Sequence, residues 1–598
     1  MKYTLEICTD SVASAVAAQK GGAKRIELCS GLVIGGLSPD PALFKVVRAN
    51  TDLEIRTLLR PRFGDFCYDE YEFEMLKEEV QMYREFGADG VVIGILRPDG
   101  TMNVEQMEEL VRISGDMKVT MHRAFDVCKD PYETLEQCVS LGIDTILTCD
   151  NGISAIDQIH LAKELGMTVV VTDHHEVPYI EENGVRREKI SEADAIVNPK
   201  QEACQYPFKK LCGAAVAWKL VQVLYEHAGI PVSEADRFIE NAGFATVGDV
   251  MDLQGENRVL VKLGLKMLNQ TQNIGMKALI LQSNRKLGEI RSGDIAFGLG
   301  PCLNATGRLE SARIALKLLL CESEAEAAVL AQEAVELNNS RKLLTEQAVE
   351  VAKQMIAEGD YANDRVFVIF LPDCHESLAG IVAGRIREAY HRPTLVITRS
   401  EEGAKGSGRS IEGYSMFEEL NKCTDLLSTF GGHPMAAGFS LPEENIEAFR
   451  RRLNEVCTLT EEELQAKVVI DVPMPIGYIT FPLIEQLKLL EPFGKGNDKP
   501  VFADRNLVIG RLKIYGPTGR VVQLTLHSPS GARVQAVYFG EPDNLRLPLE
   551  EKYGKVVADD TMANHCVHNA ALHFTYYPEI DTYYETPRVK LKITGISA

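Results

Sequence analysis

The chain has 598 residues and a formal net charge of −22 at pH 7, and this length predicts roughly three to five domains. Its composition, 45% hydrophobic and 25% charged, is that of an ordinary globular protein, and no apolar run approaches the roughly 18 residues that cross a bilayer. The acidic charge excludes a protein that coats duplex DNA by bulk charge. It still permits a nuclease, because a local groove and bound cations can hold a polyanion.

The pattern of cysteines and the first residues of the sequence both favour the cytoplasm as the compartment of this protein. Fourteen cysteines are scattered along the chain without C-x-x-C pairs, a pattern typical of reduced thiols in the cytoplasm. The start, "MKYTLEICTD", lacks the basic and then apolar leader of a secretory signal. We therefore expect a cytoplasmic protein without a membrane anchor.

Residues 1–148 alternate apolar strands with amphipathic helices. Six β units with short loops can be counted, and this alternation is typical of a parallel α/β fold. The predicted strands are "YTLEICTD", "RIELC", "LEIRTLLRPR", "GVVIGIL", "KVTMHRAFD" and "DTILT".

Polar residues gather at the ends of these strands, where a (β/α)8 barrel builds its active site. An arginine, histidine and carboxylate cluster there suits a small anionic ligand, whereas Cys8, Cys29, Met121 and His122 suit Cu(I). The alternative is that both cysteines are small buried hydrophobes. The candidate pocket residues are Glu6, Cys8, Glu27, Cys29, Arg60, Arg62, His122 and Asp126.

Three segments of this region resemble the CutC family, which is linked to copper homeostasis. They are "LEICTDSVASAVAAQKGGAKRIELCSGLVIGGLSP", "RPRFGDFCY" and "MHRAFDVCKDPYETLEQCVSLGIDTILT". The resemblance implies a TIM barrel and a possible copper site. Since it stops after Thr148, with roughly six of eight strands present, the truncated barrel would have two sheet edges that must be covered.

A different pattern begins at residue 149. In "DTILTCDNGISAIDQIHLAKELGMTVVVTDHHEVP", Asp150 follows one predicted strand, and Asp173, His174 and His175 follow the next. Both sets therefore lie at the carboxyl ends of neighbouring parallel strands, where open α/β sheets bind ligands. Aspartate and imidazole together suit Mn²⁺ or a similar divalent ion. Asp249, in "FATVGDVMDLQGENR", is a further carboxylate that could join them.

The carboxyl-terminal half contains further motifs. "GLGPCLNATGRLESA" carries Asn304 and Arg308, and the alanine- and glutamate-rich stretch 322–358 predicts a spacer helix. In "GSGRSIEGY" and "FGGHPMAAGFSL", small residues flank Ser407, Arg409 and His433. Small residues allow a backbone or phosphate to approach closely, and arginine offers that phosphate a bidentate fork.

Taken in order, "CDNGIS", "TDHH", "VGDVMDLQGENR", "NATGRL", "HESLAGIVAGR", "GSGRS" and "GGHPMAAGF" resemble the RecJ family of single-strand-specific exonucleases, in the DHH phosphoesterase superfamily. The resemblance covers about residues 149–598. It implies a 5′-to-3′ exonuclease that uses Mn²⁺ or Mg²⁺, acts on single-stranded DNA and meets repair or recombination proteins.

The resemblance also implies residue roles. The metal ligands would be Asp150, Asp173, His174 and Asp249, with His175 as a further ligand or as a support for one. The catalytic group would be Asp173, His174 and His175. His375 matches the family's "HE" motif, although Cys374 precedes it where tryptophan is expected. The residues that would contact nucleic acid are Asn304, Arg308, His375, Ser407, Arg409, Ser410, Gly432 and His433.

The tail after Pro500 alternates apolar and polar residues, as in "VVQLTLHS" and "RVKLKITGI", and this predicts short antiparallel strands. Its position in the RecJ pattern implies an OB-fold, which binds single strands by groove charge and aromatic stacking. Tyr576, Tyr577, Tyr583 and Tyr584 are candidate stacking residues, with core packing as the alternative for each.

One motif of the superfamily is missing. Its first motif is an aspartate pair, D-x-D, and no D-x-D occurs in the 598 residues. Hydrolysis by two cations roughly 3.5–4 Å apart needs those carboxylates, so we expect weak or absent turnover. Asp126, which ends a predicted strand, is a candidate substitute. We also expect 146–149 to form a parallel strand between elements of both halves.

The predicted architecture is α/β with five parts. A partial (β/α) barrel spans 1–148 and an incomplete DHH domain 149–320. A connecting helix spans 321–358, a DHHA1 domain 359–460 and an OB-like β domain 461–598. Three alternatives to an impaired exonuclease stay open: a non-catalytic single-strand binder, a small-molecule phosphodiesterase of the same superfamily, and a copper-binding protein.

Overall fold

The structure is a computed structural model of the chain. It describes residues 6–598 apart from short gaps at 22, 31–35, 63–64, 123, 126–127, 142–144, 183–184, 228, 311, 322, 401–402, 517–518, 567 and 583–585. Asp126, Tyr583, Tyr584 and the side chain of Glu6 therefore lie outside what is described.

The amino-terminal unit is a parallel sheet of five strands in sequential order, β1-β2-β3-β4-β5. A helix follows each strand, as the alternating pattern predicts. The strands are β1 Glu6–Thr9, β2 Arg25–Leu28, β3 Glu54–Leu58, β4 Gly90–Ile93 and β5 Lys118–Met121, and the helices are α1 Val12–Lys20, α2 Pro41–Asn50, α3 Glu70–Glu85, α4 Val104–Ser114 and α5 Pro131–Ser140.

Local sequence explains these elements. Strand β4, "GVVI", is buried on both faces, as expected for a strand of a parallel sheet covered by helices. Helix α3 begins with a capping box, in which Asp69 accepts from the backbone of Glu72 and the Glu72 side chain accepts from the backbone of Asp69.

The sixth predicted strand belongs to a different sheet. Strand β6, Thr145–Cys149, pairs in parallel with β7, Thr168–Thr172, and β10, Ala195–Val197, lies on the other side of β7. Helix α6, Ile156–Glu164, makes the crossover. The predicted strand over 146–149 is thus confirmed, but in the described residues its hydrogen-bonded partner is β7 and not β5. A hairpin, β8 Tyr179–Glu182 and β9 Val185–Glu188, precedes β10.

A single hydrophobic core crosses the junction between the two sheets. The buried residues of the first unit, such as Ile93 and Val119, belong to the same packed cluster as Ile159 of α6 and Val169 of β7. The two halves therefore share their core, and the second sheet covers an end of the first that would otherwise be exposed.

Helices make up the next part of the chain. They are α7 Gly213–His227, α8 Ile239–Gly248, α9 Gly255–Leu268, α10 Ile274–Gln282, α11 Ser292–Asp294, α12 Gly300–Leu309, α13 Ala312–Leu320 and α14 Glu324–Glu358. The last of these, 35 residues long, is capped by Ser323 and is the predicted connecting helix.

The second α/β part has a five-stranded sheet in the order β11-β12-β13-β15-β14. Strands β12, β13, β15 and β14 are antiparallel neighbours, while β11 joins in parallel. The elements are β11 Phe367–Phe370, α15 Glu376–Tyr390, β12 Thr394–Ser400, β13 Gly403–Arg409, α16 Met416–Asn421, β14 Thr429–His433, β15 Ala436–Leu441 and α17 Ile446–Val456.

The carboxyl-terminal part is a six-stranded sheet that closes on itself, because β17 pairs with β18 and also with β20. Closure removes exposed sheet edges. The elements are β16 Val472–Pro473, α18 Phe481–Leu487, β17 Phe502–Tyr515, β18 Val521–His527, β19 Arg533–Phe539, α19 Asp543–Tyr553, α20 Lys555–Met562, β20 Ala571–Asp581 and β21 Arg588–Ser597.

Two of the tyrosines predicted to stack on bases are core residues. Tyr576 is 0% and Tyr577 7% exposed, and the Tyr576 hydroxyl donates to the carbonyl of Met474. Consecutive residues of a strand point to opposite faces, so the two rings are buried by different neighbours: Tyr576 packs against Phe502, and Tyr577 also packs against Phe493. The sequence pattern could not determine that both rings are buried.

Within the described part of the chain, no helix combines the length and apolarity needed to cross a bilayer. The longest, α14, is rich in alanine and glutamate and is partly exposed along its length.

The shared core generates a prediction. Replacing Ile159, 4% exposed, with alanine should lower the free energy of unfolding by about 2–5 kcal/mol, because it leaves a cavity in the shared core. Hydrogen exchange should then accelerate in β4 as well as in β7. His160→Ala, at an exposed neighbour, is the control and should change stability by about 0.5 kcal/mol or less. Unchanged exchange in β4 of the Ile159 variant would mean that the halves unfold independently.

Candidate metal centre and nucleic-acid interface

Asp150 lies directly after β6 in a left-handed backbone conformation, with φ of 63°, which aspartate tolerates better than most residues. Its backbone N–H donates to Thr172 at the end of β7. The carboxylate lies against Gly213, the first residue of α7, where a Cβ atom would overlap Oδ1. Gly213 is thus required for this approach, and the positive end of the α7 dipole favours the carboxylate.

Asp173 lies at the end of β7 and faces inward. It is 1% exposed, and its carboxylate accepts from the backbones of Ile153, His174 and His175 and contacts Nδ1 of His175 at 2.7 Å. Burial by itself would raise the pKa of Asp173, but these hydrogen bonds outweigh it and lower the pKa. Asp173, predicted as a metal ligand, is therefore not in the group of ligand atoms formed by Asp150, His174 and His175. Its carboxylate instead fixes the loops that follow β6 and β7 and orients His175.

His174 presents Nε2 to two carboxylates. Oδ1 of Asp150 lies 3.1 Å away and Oδ2 of Asp249 lies 3.6 Å away. The hydrogen bond with Asp150 raises the pKa of His174, while burial raises the pKa of Asp249. Among the described residues, Nδ1 of His174 is buried without a hydrogen-bond partner. The ring is therefore oriented by its Nε2 contact with Asp150 and by packing, including the His175 ring, whose centroid lies 4.5 Å away.

Two neighbours that the sequence reasoning missed hold this group in place. Asn198, 2% exposed, donates from Nδ2 to the carbonyl of His175. Val250, directly after Asp249, has φ of 54°, which is a strained conformation for a β-branched residue. The strain turns the chain sharply after α8 and leaves Asp249 facing His174.

The donor set fits a divalent cation. Ligand atoms of Asp150, His174 and His175 lie within 4.8 Å of one another, with Asp249 beside them. An octahedral ion with bonds of about 2.1 Å places neighbouring ligand atoms about 3 Å apart, close to the His174–Asp150 distance. Among the described residues this is the one group of three or more such ligands.

Arg409 and Ser407 lie on one face of β13, and the guanidinium donates to the Ser407 hydroxyl at 3.1 Å. The pair fits against α15 because Gly380 has no side chain, and a Cβ atom there would lie 2.6 Å from Nη2 of Arg409. Burial, together with Arg308 and Arg387 nearby, lowers the pKa of Arg409. Cations held this close together indicate an anion site.

Arg308 and Asn304 are exposed one turn apart on α12. Arg308 donates to the carbonyl of Ser377 at 2.8 Å, so it joins α12 to the start of α15. His375 caps that helix, with its ring Nδ1 accepting from the backbone of Ser377. The structure therefore brings Arg308 and His375 together at the amino end of α15, and Asn304 lies one turn away from Arg308 on α12.

His433 and Gly432 end β14, where the glycine has φ of 149° and a Cβ atom would lie 2.5 Å from the carbonyl of Ala436. Burial and Arg409 nearby lower the pKa of His433. Ser410, by contrast, does not reach the surface: it is 1% exposed, and its hydroxyl donates to the carbonyl of Tyr414. The prediction that Ser410 contacts nucleic acid is therefore wrong, and its hydroxyl instead stabilises the turn after β13.

The carboxyl-terminal sheet offers a second basic face. Tyr515 and Phe539 flank Val521 in one register row, and Lys513 and Lys592 lie in the next. Phe539 is 58% exposed, with the Lys592 ammonium 5.6 Å from its ring, and Lys513 lies 4.6 Å from the Tyr515 ring. A cavity of about 460 Å³ opens on this face, lined also by Arg511, Arg588 and Lys590.

The predicted pocket of the amino-terminal unit is only partly assembled. Sγ of Cys8 lies 3.1 Å from the Glu27 carboxylate, and its hydrogen bond with the Cys29 thiol raises the pKa of Cys8. A raised pKa disfavours the thiolate that binds copper.

The remaining pocket residues form separate contacts. Arg60 and His122 both pack on Phe66, at 5.0 and 4.8 Å. Arg62 pairs instead with Asp65 and Glu72. Asp126 and the side chain of Glu6 lie outside the described residues.

Comparison with known proteins shows which families the parts of this chain are similar to. Family models match at residues 3–195 for the CutC family, 363–459 for the DHHA1 domain and 470–595 for the RecJ OB domain. The single-stranded-DNA-specific exonuclease RecJ of Salmonella typhimurium is 34% identical over 394 residues, covering 62% of this chain and 67% of that protein. The chain belongs to the RecJ family.

RecJ of Bacillus subtilis is 34% identical over 493 residues, covering 79% of this chain and 59% of that protein. The chain thus spans 59% to 67% of the length of these two RecJ relatives. A crystal structure of RecJ with Mn²⁺ from Thermus thermophilus has the same fold, with a TM-score of 0.63, 22% identity and coverage of 100% of this chain and 80% of that one.

A CutC family protein of Bacteroides fragilis is 44% identical over 164 residues, covering 27% of this chain and 65% of that protein. The chain is therefore a fusion of a CutC-like unit with RecJ-like DHH, DHHA1 and OB-type parts. The CutC match runs to residue 195, beyond the boundary predicted at 148, so it overlaps the sheet that carries Asp150 and Asp173.

The burial of Asp173 generates a prediction. Asp173→Asn should lower the free energy of unfolding by about 1.5–3 kcal/mol, because an amide cannot replace a carboxylate that accepts several hydrogen bonds. Denaturant unfolding in a chelating buffer measures this without metal. Asp150→Asn, with a side chain 59% exposed, is the matched control and should cost much less. Equal losses in the two variants would contradict the structural role of Asp173.

Proposed function

We propose that the chain is a metal-binding, single-stranded-DNA-binding member of the RecJ family whose 5′-to-3′ exonuclease activity is weak or absent. The single observation that carries this proposal is the composition of the metal centre. Asp150, His174, His175 and Asp249 make one cluster of ligands, and the described residues include no second group of ligands beside it.

Phosphodiester hydrolysis by the two-metal mechanism needs enough ligands for a second cation. A pair of cations clamps the attacking and the leaving oxygen when both are bound. The residues present would hold one Mn²⁺ or Mg²⁺, as the Mn²⁺ complex of the Thermus RecJ suggests. The D-x-D carboxylates that would complete a second ligand set are missing from the sequence.

Binding of single-stranded DNA by this chain has stronger support than exonuclease turnover. Arg409, Ser407 and His433 form an anion site beside Arg308, and the carboxyl-terminal sheet presents lysines beside exposed aromatic rings. Groove charge with aromatic stacking is how proteins hold single strands without reading sequence. Two separate surfaces of this kind favour a polymeric strand over a dinucleotide as the ligand, and thus disfavour a small-molecule phosphodiesterase.

A copper-binding role for the amino-terminal unit is the weaker alternative. Cys8 and Cys29 lie together, but the raised pKa of Cys8 opposes thiolate formation, and Arg62 is engaged by two carboxylates. We propose that this unit acts mainly as a scaffold for β6. Location in the cytoplasm and contact with repair or recombination proteins are further parts of the proposal, the first supported by cysteines that form no disulfide within the described residues.

The anion site generates a prediction for binding. Arg409→Ala should weaken binding of single-stranded DNA by about 1–3 kcal/mol at fixed low salt, because a charge-assisted phosphate contact is lost. Fluorescence anisotropy with a labelled oligothymidylate measures this. Arg399→Ala, an exposed arginine on β12 paired with Glu443, is the matched control and should bind as the parent does. Unchanged affinity in the Arg409 variant would remove this site from the binding surface.

The metal centre generates a prediction for catalysis. A 5′-phosphorylated single strand incubated with Mn²⁺ should release few or no nucleotides, since the second ligand set is absent. Calorimetry should meanwhile detect about one Mn²⁺ bound per chain, and this binding should be lost in His174→Ala. Rapid digestion by the parent protein but not by Asp150→Ala would mean that another residue completes the site, with Asp126 the first candidate.

A further inference from the structure

The face of the sheet that carries Arg409 continues past Ser407. Alternate residues of a strand share a face, so Lys405, Ser407 and Arg409 of β13 point the same way. Their cross-strand partners on β15 are Ser440, Gly438 and Ala436, and those on β14 are Thr429, Gly431 and His433. The face therefore has three rows: Arg409–Ala436–His433, Ser407–Gly438–Gly431 and Lys405–Ser440–Thr429.

The middle row forms an open floor. Gly438 and Gly431 lie opposite each other, both are exposed, and a Cβ atom at either would meet nothing within 4 Å. The inner face of β13 is tightly packed instead, since a Cβ atom at Gly406 would overlap the ring of Phe439. The missing side chains on the outer face thus create free space that packing does not use.

A groove of about 600 Å³ runs over this floor. The start of α15, with Glu376 and Ser377, forms one wall, and the open floor extends from it across β15 to β14. The positive end of the dipole of this 15-residue helix faces the groove and favours an anion. Hydroxyls of Thr429 and Ser440, 2.5 Å apart, line its far end.

Lys405 is the cation at that far end. Its ammonium lies 3.1 Å from the Glu376 carboxylate, with both side chains more than half exposed. An exposed ion pair of this kind contributes little because water and salt screen it. An incoming phosphate can therefore replace Glu376 at small cost.

We propose that the row Lys405–Ser440–Thr429 is a further phosphate subsite for single-stranded DNA, reached from the Arg409 site across the glycine floor. Rows on one strand repeat every ~7 Å, so the strand would place successive phosphates along β13 while its backbone lies against Gly438 and Gly431. The proposal rests on the proposed function and adds a direction to it: the strand runs along β13 away from His433, toward Thr429.

The first experiment introduces a side chain into the open glycine floor of the groove. Gly438→Val adds a side chain where the structure has free space, and valine suits a strand, so the melting temperature should be unchanged. Binding of a 5′-phosphorylated oligothymidylate, measured by anisotropy, should fall by about tenfold or more. Parent-like affinity in a folded Gly438→Val variant would overturn the proposal.

The second experiment tests Lys405 and does not depend on the glycine floor. Lys405→Ala should lower the slope of log affinity against log salt by about 0.7, the value for one phosphate contact in a single strand. Glu376→Gln should raise affinity by about 1.5- to 5-fold, since a competitor for Lys405 is removed. Lys422→Ala, whose lysine pairs with Glu419 in the same domain, is the control and should keep the parent slope.

The outcomes separate this proposal from the proposed function. If Arg409→Ala weakens binding while Lys405→Ala and Gly438→Val bind like the parent, the strand does not cross the floor and only the subsite is rejected. If Arg409→Ala also binds like the parent, the anion site itself is wrong. If Gly438→Val fails to fold, the salt slope of Lys405→Ala decides alone.

Discussion

The structure depends on the parallel pairing of β6 with β7. This pairing brings the ends of two strands to one edge, so that Asp150 and the Asp173–His174–His175 segment lie together. The same strands contribute to the core that continues into the amino-terminal unit. Without the pairing, the metal ligands would separate and the first sheet would lose the packing that covers its last strand. The pairing of β6 with β7 is therefore what connects the candidate metal-binding residues to the core of the amino-terminal unit.

The residues of the candidate metal centre differ in burial and in role. Asp173 is buried and its carboxylate is engaged by backbone N–H groups and His175, whereas Asp150 and Asp249 are partly exposed and face His174. The buried carboxylate fixes the loops, and the exposed ones remain available to a cation. Val250 and Gly213 support the two exposed carboxylates from outside the motifs, one by a strained turn and the other by the absence of a side chain.

The parts proposed to bind nucleic acid are connected to the candidate metal centre by direct contacts. Arg308 joins α12 to α15, and the backbone of Leu253, a few residues after Asp249, donates to the carbonyl of Lys495 at the start of the OB-type part. Arg258 donates to the carbonyls of Leu490 and Glu491 in the same segment. The helical part that carries Asp249 therefore contacts both the DHHA1 part and the OB-type part. Single-stranded DNA held in the β13 groove would therefore lie in the DHHA1 part, which Arg308 connects to α12.

The sequence alone determined the order of the parts, the parallel strands on either side of the junction, the long connecting helix and the residue types of the metal centre, because these follow from periodicity and from motifs that are local in the chain. Only the tertiary structure decided how side chains face. It turned Tyr576, Tyr577 and Ser410 inward, placed β6 beside β7 instead of β5 within the described residues, and directed Asp173 into the loops it supports. It also gave Gly213, Gly438 and Val250 their roles. Those roles come from contacts or open space between segments far apart in the chain, and periodicity within one segment carries no information about them.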